Sequence, residues 1–245
     1  MSAGFSSLDL WEIPAGPPPP GKVPNLIDPP SQAPILSIGI YVLLPLLVPF
    51  VVMRLYTRLR LTRAFGIDDL LCIASTVLIL AYAGVLLALL NLKPITPLGR
   101  HIWDIPVAAF TSEYLELIIM ALVTNPAAAM FVKLTILTLY FRIFQPSRWA
   151  HHLILAGSIA VAVFYLVTII TLLALCVPSR GETWLAKASF GTCPTVQVRI
   201  ARSQGFFGLF SDVFILVIPL WQVSQLSLPP KRKAGVMLVF FTGLL

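Results

Sequence analysis

Five runs of apolar residues, each near the length that crosses a bilayer, constrain this chain more than any other feature: Ile35 to Met53, Leu70 to Leu90, Leu115 to Phe141, Leu153 to Cys176 and Phe206 to Val223. A helix needs about 20 such residues to cross a hydrocarbon layer about 30 Å thick, and only helices or closed barrels satisfy their backbone groups there. Composition agrees: 58% of residues are hydrophobic and 11% charged, against roughly 25% charged in soluble domains. Mean hydropathy is +0.92. The expected fold class is all-α, a polytopic transmembrane helix bundle. A sixth run, Val236 to Leu245, covers about half of the layer at about 1.5 Å per residue. We therefore expect a truncated bundle of five complete spans and a partial sixth, with residues 1–34 as an external proline-rich tail and 35–245 as the transmembrane domain.

The distribution of Lys and Arg orients the spans. Arg54, Arg58, Arg60 and Arg63 follow the first span, Arg142 and Arg148 the third, and Lys231, Arg232 and Lys233 the fifth. These compact loops read as cytoplasmic, which puts the N terminus on the external or lumenal side. The opposite loops hold Arg180, Lys187, Arg199 and Arg202 at lower density. A net charge of +7 then reflects topology and attraction to anionic inner-leaflet lipid, and no nucleic-acid partner is expected. The expected location is multi-pass, in the plasma membrane or an endomembrane. No basic segment followed by an apolar one precedes the first span, so that span serves as the insertion signal. The stretch PAGPPPPGKVPNLIDPP favours polyproline II and reads as an exposed tail. Asn25, Asn91 and Asn125 all lack the third residue of a glycosylation sequon.

The three cysteines separate by environment. Cys72, inside the second run, reads as inert packing. Cys176 ends the fourth run and Cys193 lies in the loop after it; in an oxidising compartment the two would close a loop of about 17 residues, stabilising it by about 3 kcal/mol. A zinc site lacks neighbouring Cys and His at ligand spacing, so no metal is expected. In PLGRHIWDIP, His101 and Asp104 have the chemistry of an acid/base pair. The competing reading is a solvated histidine beside Trp103, an interfacial anchor.

Two groups of charges remain. In RLYTRLRLTRAFGIDDLL, Asp68 and Asp69 open the second helix, where carboxylates cap free N–H groups and complement the helix dipole, and Gly66 supplies a flexible turn. Arg54, Arg58 and Arg142 fall at the same membrane edge, so the five residues either anchor that edge or lock helices together as a switch. Deeper lie Lys133 and Asp212. A charge at mid-bilayer costs about 2.5 to 3.5 kcal/mol even on the lenient insertion scale. Lys133 therefore either snorkels along its own stem or pairs with Asp212. With the fifth helix starting at Phe206, their depths differ by about 10 Å, which a long lysine mostly covers. Asn125 and Pro126, about two turns above Lys133, predict a kink and a polar lining group. Lys133, Asp212, Asn125 and His101 are the candidate interior or ligand-contacting residues.

Taken in order, RLYTR, GIDD, GRHIW, VKLTILTLYFRIF, Cys176 with Trp184 and Cys193, SDVFILVIPLW and LPPKRKAG resemble the fungal rhodopsin-like integral membrane family. That family includes satratoxin-cluster-type membrane proteins and is related to Pth-type receptor-like proteins. The resemblance runs from about Ile35 to the C terminus. It implies a seven-helix membrane fold and association with secondary-metabolite (mycotoxin-type) gene clusters, with no defined biochemical role. It gives weight to Arg54, Tyr56, Arg58, Gly66, Asp68, Asp69, Gly99, His101, Lys133, Arg142, Asp212 and Pro219, and supports a Cys176–Cys193 pair. The chain departs from the pattern at Pro97, where related sequences read glycine, and at Gly208, where they often carry asparagine one turn before the aspartate. The end of a sixth helix and a seventh are also missing. Microbial rhodopsins carry their retinal lysine on the seventh helix, and Lys133 on the third is no substitute, so no cofactor is expected.

These readings favour a receptor-like membrane protein whose partners are the lipid bilayer, a small lipophilic ligand and a cytoplasmic signalling protein. The alternative is a membrane-bound biosynthetic enzyme acting on a lipophilic pathway intermediate, with Lys133, Asp212 or His101 moving protons. The absence of soluble-hydrolase, zinc-protease, Walker and dinucleotide motifs weighs against an enzyme, and the inverted repeats of a transporter are not evident.

Overall fold

Six α-helices organise the residues described by the computed structural model, which are 9–93, 95–143, 148–190 and 192–225. They are α1 (Ala33–Tyr56), α2 (Ile67–Leu90), α3 (Ser112–Ile143), α4 (Arg148–Cys176), α5 (Trp184–Phe190) and α6 (Cys193–Gln225). All but α5 are long and apolar enough to cross a membrane. The basic triplet Lys231, Arg232 and Lys233 and the run Val236 to Leu245 lie outside the described residues.

Local chemistry accounts for the helix starts. Pro34 sits in the first turn of α1, where a missing N–H breaks no hydrogen bond. Gly66 caps α2, its N–H donating to Asp69 Oδ2 at 3.1 Å. Thr111 Oγ1 accepts from Tyr114 N at the start of α3. α6 differs most from expectation: it begins at Cys193, not Phe206. The segment CPTVQVRIARSQG is too polar to register as a span. Helical hydrogen bonding needs no apolar side chains, though, and the Cys176–Cys193 disulfide fixes the first turn of α6 beside the end of α4.

α3 is the central helix, packed along α2 on one side and α4 on the other, while α6 rests mainly on α4 and α1 leans on α2. Met130, Leu137 and Tyr140 of α3 meet Ala150, Ile154, Val161 and Tyr165 of α4 and Ile215 and Ile218 of α6. α1 buries Ile40 and turns most of its apolar surface outward, as lipid contact permits. Trp184 packs against both the α2–α3 core around Leu89 and Leu115 and the disulfide core around Ile119 and Leu172.

α4 and α6 approach closely at Gly157, where a Cβ would stand 2.4 Å from Phe214 Cε1. Gly157→Ala should therefore force the ring aside and cost about 1–3 kcal/mol. The check is the thermal midpoint of the detergent-solubilised chain, with Gly84→Ala, which meets nothing within 4 Å, as the control that holds or raises it.

The proline-rich segment differs from a free tail. Many of its side chains stay exposed, but its backbone pairs with the α2–α3 connection. Ala15 N donates to Ile105 O at 2.8 Å and Val107 N to Ile13 O at 3.0 Å, making an isolated bridge at Pro14–Pro106. Further along, Asn25 N donates to Asp104 Oδ1 at 2.9 Å and Gln32 N to Gly99 O at 2.8 Å. Gly99 has φ +82° and lies where a Cβ would meet Ala33 N at 2.7 Å, so both backbone conformation and space require glycine. An extended proline-rich backbone keeps its amide and carbonyl groups available for such edge pairing.

The α4–α6 connection is held by Glu182, which accepts from Ser179 N at 3.0 Å and Lys187 Nζ at 3.1 Å. The Ser179 amide, then Lys187, hold the Glu182 carboxyl below its ordinary value of 4.5. Its contribution to stability is fully present above that ordinary value and disappears as pH falls through the lowered one. The thermal midpoints of wild type and Glu182→Gln should thus differ at neutral pH and converge on acidification.

Candidate functional site

The face of the bundle opposite the tail carries a five-residue ionic cluster. Arg54 Nη2 lies 2.8 Å from Asp68 Oδ2 and 3.2 Å from Asp69 Oδ1. Arg58 adds contacts of 3.6 Å to Asp68 and 3.8 Å to Asp69, and Arg142 Nη1 reaches Asp68 Oδ1 at 3.3 Å. Both carboxylates are buried, Asp68 at 4% and Asp69 at 0% exposure. The cluster ties together the end of α1, the start of α2 and the end of α3. Among the described residues, Asp69 Oδ1 stands at ion-pair distance from Arg54 yet accepts no well-directed hydrogen bond, and Arg54 Nε has no acceptor. The cluster is therefore held partly by charge alone, and such a network is costly to disturb. α1 enters it through a π-helical turn, Thr57–Leu61, that contains Arg58.

Gly66 serves this cluster through space. Its φ of −141° is open to any residue, but a Cβ would stand 2.7 Å from Asp68 Oδ1 and 3.3 Å from Arg142 Nη1. The flexible turn expected from sequence is in fact the gap through which Arg142 reaches Asp68.

Midway through the bundle, Lys133 is 7% exposed and its ammonium pairs with Asp212 Oδ1, with a second contact to Gly208 O at 3.4 Å. The 10 Å difference in depth expected from sequence does not exist. α3 starts at Ser112 and α6 at Cys193, so the partners lie at nearly equal distances from their helix starts, within about two residues or about 3 Å. Gly208, with no side chain of its own, contributes its backbone carbonyl as the second acceptor. The Asp212 side chain is 53% exposed, so the pair is shielded on the lysine side and open on the other.

The fungal rhodopsin domain matches residues 53–245, a region that takes in the whole ionic cluster, the Lys133–Asp212 pair and both disulfide cysteines. The chain belongs to the fungal rhodopsin family. No curated protein and no solved structure matches it.

In this fungal rhodopsin domain Cys176 and Cys193 are disulfide-bonded, with Cα atoms 4.9 Å apart, while Cys72 is free. Reduction should lower the thermal midpoint by the equivalent of about 2–3 kcal/mol for a loop of this length, and Cys193→Ser should reproduce the shift without reductant.

Two sequence candidates fall elsewhere. Asn125 is exposed on α3 and so does not line the interior, whereas its neighbour Pro126 is buried. The rotation of α3 decides this, and a proline two turns above Lys133 does not set it. His101 is also exposed and lies outside the bundle interior, stacked on Trp103 with ring centres 4.4 Å apart and planes 7° apart. It makes no acid/base pair with Asp104, whose buried carboxylate accepts from Asn25 N of the tail.

Sequence reasoning passed over a cavity of about 450 Å³ at the tail face, lined by residues that include Tyr114 and Ile118 of α3 and Gln197 of α6. The i, i+4 spacing of Tyr114 and Ile118 on one helix face was the available signal. Gln197 could not be placed while its segment read as a loop.

Proposed function

We propose that this fungal rhodopsin-family protein is a receptor-like membrane protein serving a secondary-metabolite gene cluster. Its tail and disulfide lie outside or in the lumen, and its arginine cluster lies in the cytoplasm. Two independent physical arguments support the orientation. Disulfides persist in oxidising compartments, and the opposite face carries Arg54, Arg58, Arg60 and Arg142, the dense basic set expected on the cytoplasmic side. On this reading residues 1–34 are the external tail and the remainder the membrane domain. N-terminal epitope exposure on intact cells or sealed vesicles checks it.

One observation carries the receptor reading: a single central helix, α3, reaches all three functional regions. Tyr114 stands in the tail-face cavity, Lys133 in the buried pair and Arg142 in the ionic cluster. A ligand that favours one axial position of α3 then acts on the Arg142–Asp68 contact, so α3 is the element through which the two sites would be coupled. A cytoplasmic signalling partner reads the cluster. Deleting the gene should abolish a cellular response to an added lipophilic compound while leaving the metabolite profile unchanged.

The buried Lys133–Asp212 pair favours the second reading, a membrane-bound enzyme using these groups as acid and base on a lipophilic intermediate. That reading is upheld, and the receptor overturned, if the deletion strain accumulates one defined intermediate that membranes containing the protein convert.

A further inference from the structure

We propose that the tail-face cavity binds a small, neutral, largely apolar molecule bearing a hydroxyl or carbonyl group. The proposal gives the receptor reading its ligand class; it rests on that reading for the ligand's role and not for the binding itself. At about 450 Å³ the cavity falls in the range of small-molecule sites, which combine apolar walls with a few convergent polar groups. Phe110, Ile118 and Leu185 are among the apolar walls, and among the described residues no Asp, Glu, Lys, Arg or His lines it. A charged ligand would be desolvated there without a counter-charge, so a neutral one is selected.

Two polar side chains face this cavity with capacity unused. Tyr114 is 9% exposed, and its hydroxyl has no hydrogen-bond partner among the described residues. Its ring is fixed edge-on against Phe110, with ring centres 5.5 Å apart. The Tyr114 hydroxyl is not sealed from solvent, and a ligand oxygen in the cavity can take the place of the water that it otherwise bonds. Gln197 spends its amide N–H on Cys193 Sγ at 3.2 Å, leaving Oε1 without a donor among the described residues. Tyr114 can donate to a ligand hydroxyl or carbonyl, and Gln197 Oε1 can accept from a ligand hydroxyl. The charge-free lining and these two unused groups together define the ligand's chemistry.

The site is also held in shape before any ligand arrives. The Cys176–Cys193 bond anchors the first turn of α6, one turn before Gln197. Ala15 is held at the cavity by the Pro14–Pro106 bridge and the 2.8 Å bond from its own N–H to Ile105 O. Preorganisation of this kind lowers the ordering cost of binding.

Photolabelling tests the proposal on the purified full-length chain in detergent. The probes are a diazirine-bearing dodecanol and the corresponding carboxylate, with unlabelled dodecanol as competitor. The alcohol should label peptides spanning 110–118 and 185–197 saturably, and the carboxylate should not. Tyr114→Phe with Gln197→Leu should reduce labelling about five- to tenfold, the loss expected for one or two neutral hydrogen bonds. Ala15→Phe adds bulk from the tail without touching the helix core and should also block labelling. Thermal midpoints near wild type show that each variant is folded. Non-saturable labelling spread over the lipid-facing helices overturns the proposal, as does labelling of those peptides unchanged in both folded variants. If labelling fails while the deletion strain loses its response, the cavity proposal falls and the receptor reading stands. If saturable, variant-sensitive labelling occurs while the deletion strain responds normally, the site stands and the receptor reading falls.

Discussion

Asp68→Asn is expected to destabilise the bundle by about 3–5 kcal/mol, the range for removing one partner of a buried charge network. Asp68 is the hub, contacting Arg54, Arg58 and Arg142 from three helical segments, and its side chain is 4% exposed. Asparagine fits the same volume but leaves three guanidinium groups with Asp69 as their one carboxylate in the cluster. Arg142→Gln should cost less, because Arg142 is partly exposed and water replaces part of what it loses. The double variant should show non-additivity of about 0.5–3 kcal/mol, since the two groups share a contact. The measurement is thermal unfolding of the detergent-solubilised chain with Arg60→Gln, an exposed arginine outside the cluster, as reference. An Asp68→Asn midpoint indistinguishable from that reference would remove the cluster as a structural lock.

The second large effect concerns Lys133. Lys133→Met leaves Asp212 inside a membrane-spanning helix without its cation, a loss of about 2.5–3.5 kcal/mol on the insertion scale. Asp212→Asn should be at least as harmful, because it strands a lysine that is 7% exposed, whereas the aspartate is half-exposed and more easily hydrated. Lys133→Met with Asp212→Leu removes both charges and should recover most of the stability lost by either single change. Single effects that simply add in the double variant would show that the two side chains do not support each other, and snorkelling would then account for the lysine.

Much of this architecture was legible because a membrane narrows the choices. Apolar runs of span length must become helices, and the observed helices extend the runs by about a turn at several ends, as at Ser112 and Arg148. The carboxylates opening α2 were readable as caps from their position alone, and Asp69 does cap Gly66 N. Arg54, Arg58 and Arg142 could be assigned to one membrane edge by counting spans. Asn125 and Gln197 could not be placed in this way: one faces outward and the other lines a cavity. The side an α-helical residue faces follows from helix rotation, and α6 could not be phased before its start at Cys193 was known.

Composition and spacing sufficed for the helical class, the apolar part of each span, the basic face and the residues able to form the disulfide. Each follows from local composition or from the cost of unsatisfied backbone in lipid. The packing of the helices set the rest. It brought Lys133 level with Asp212, recruited the Gly208 carbonyl, and opened at Gly66 the space through which Arg142 reaches Asp68. It also paired a proline-rich tail with the α2–α3 connection and formed a half-open cavity beside it. These depend on the axial register and rotation of helices far apart in sequence, which side-chain packing between them sets and no local pattern records.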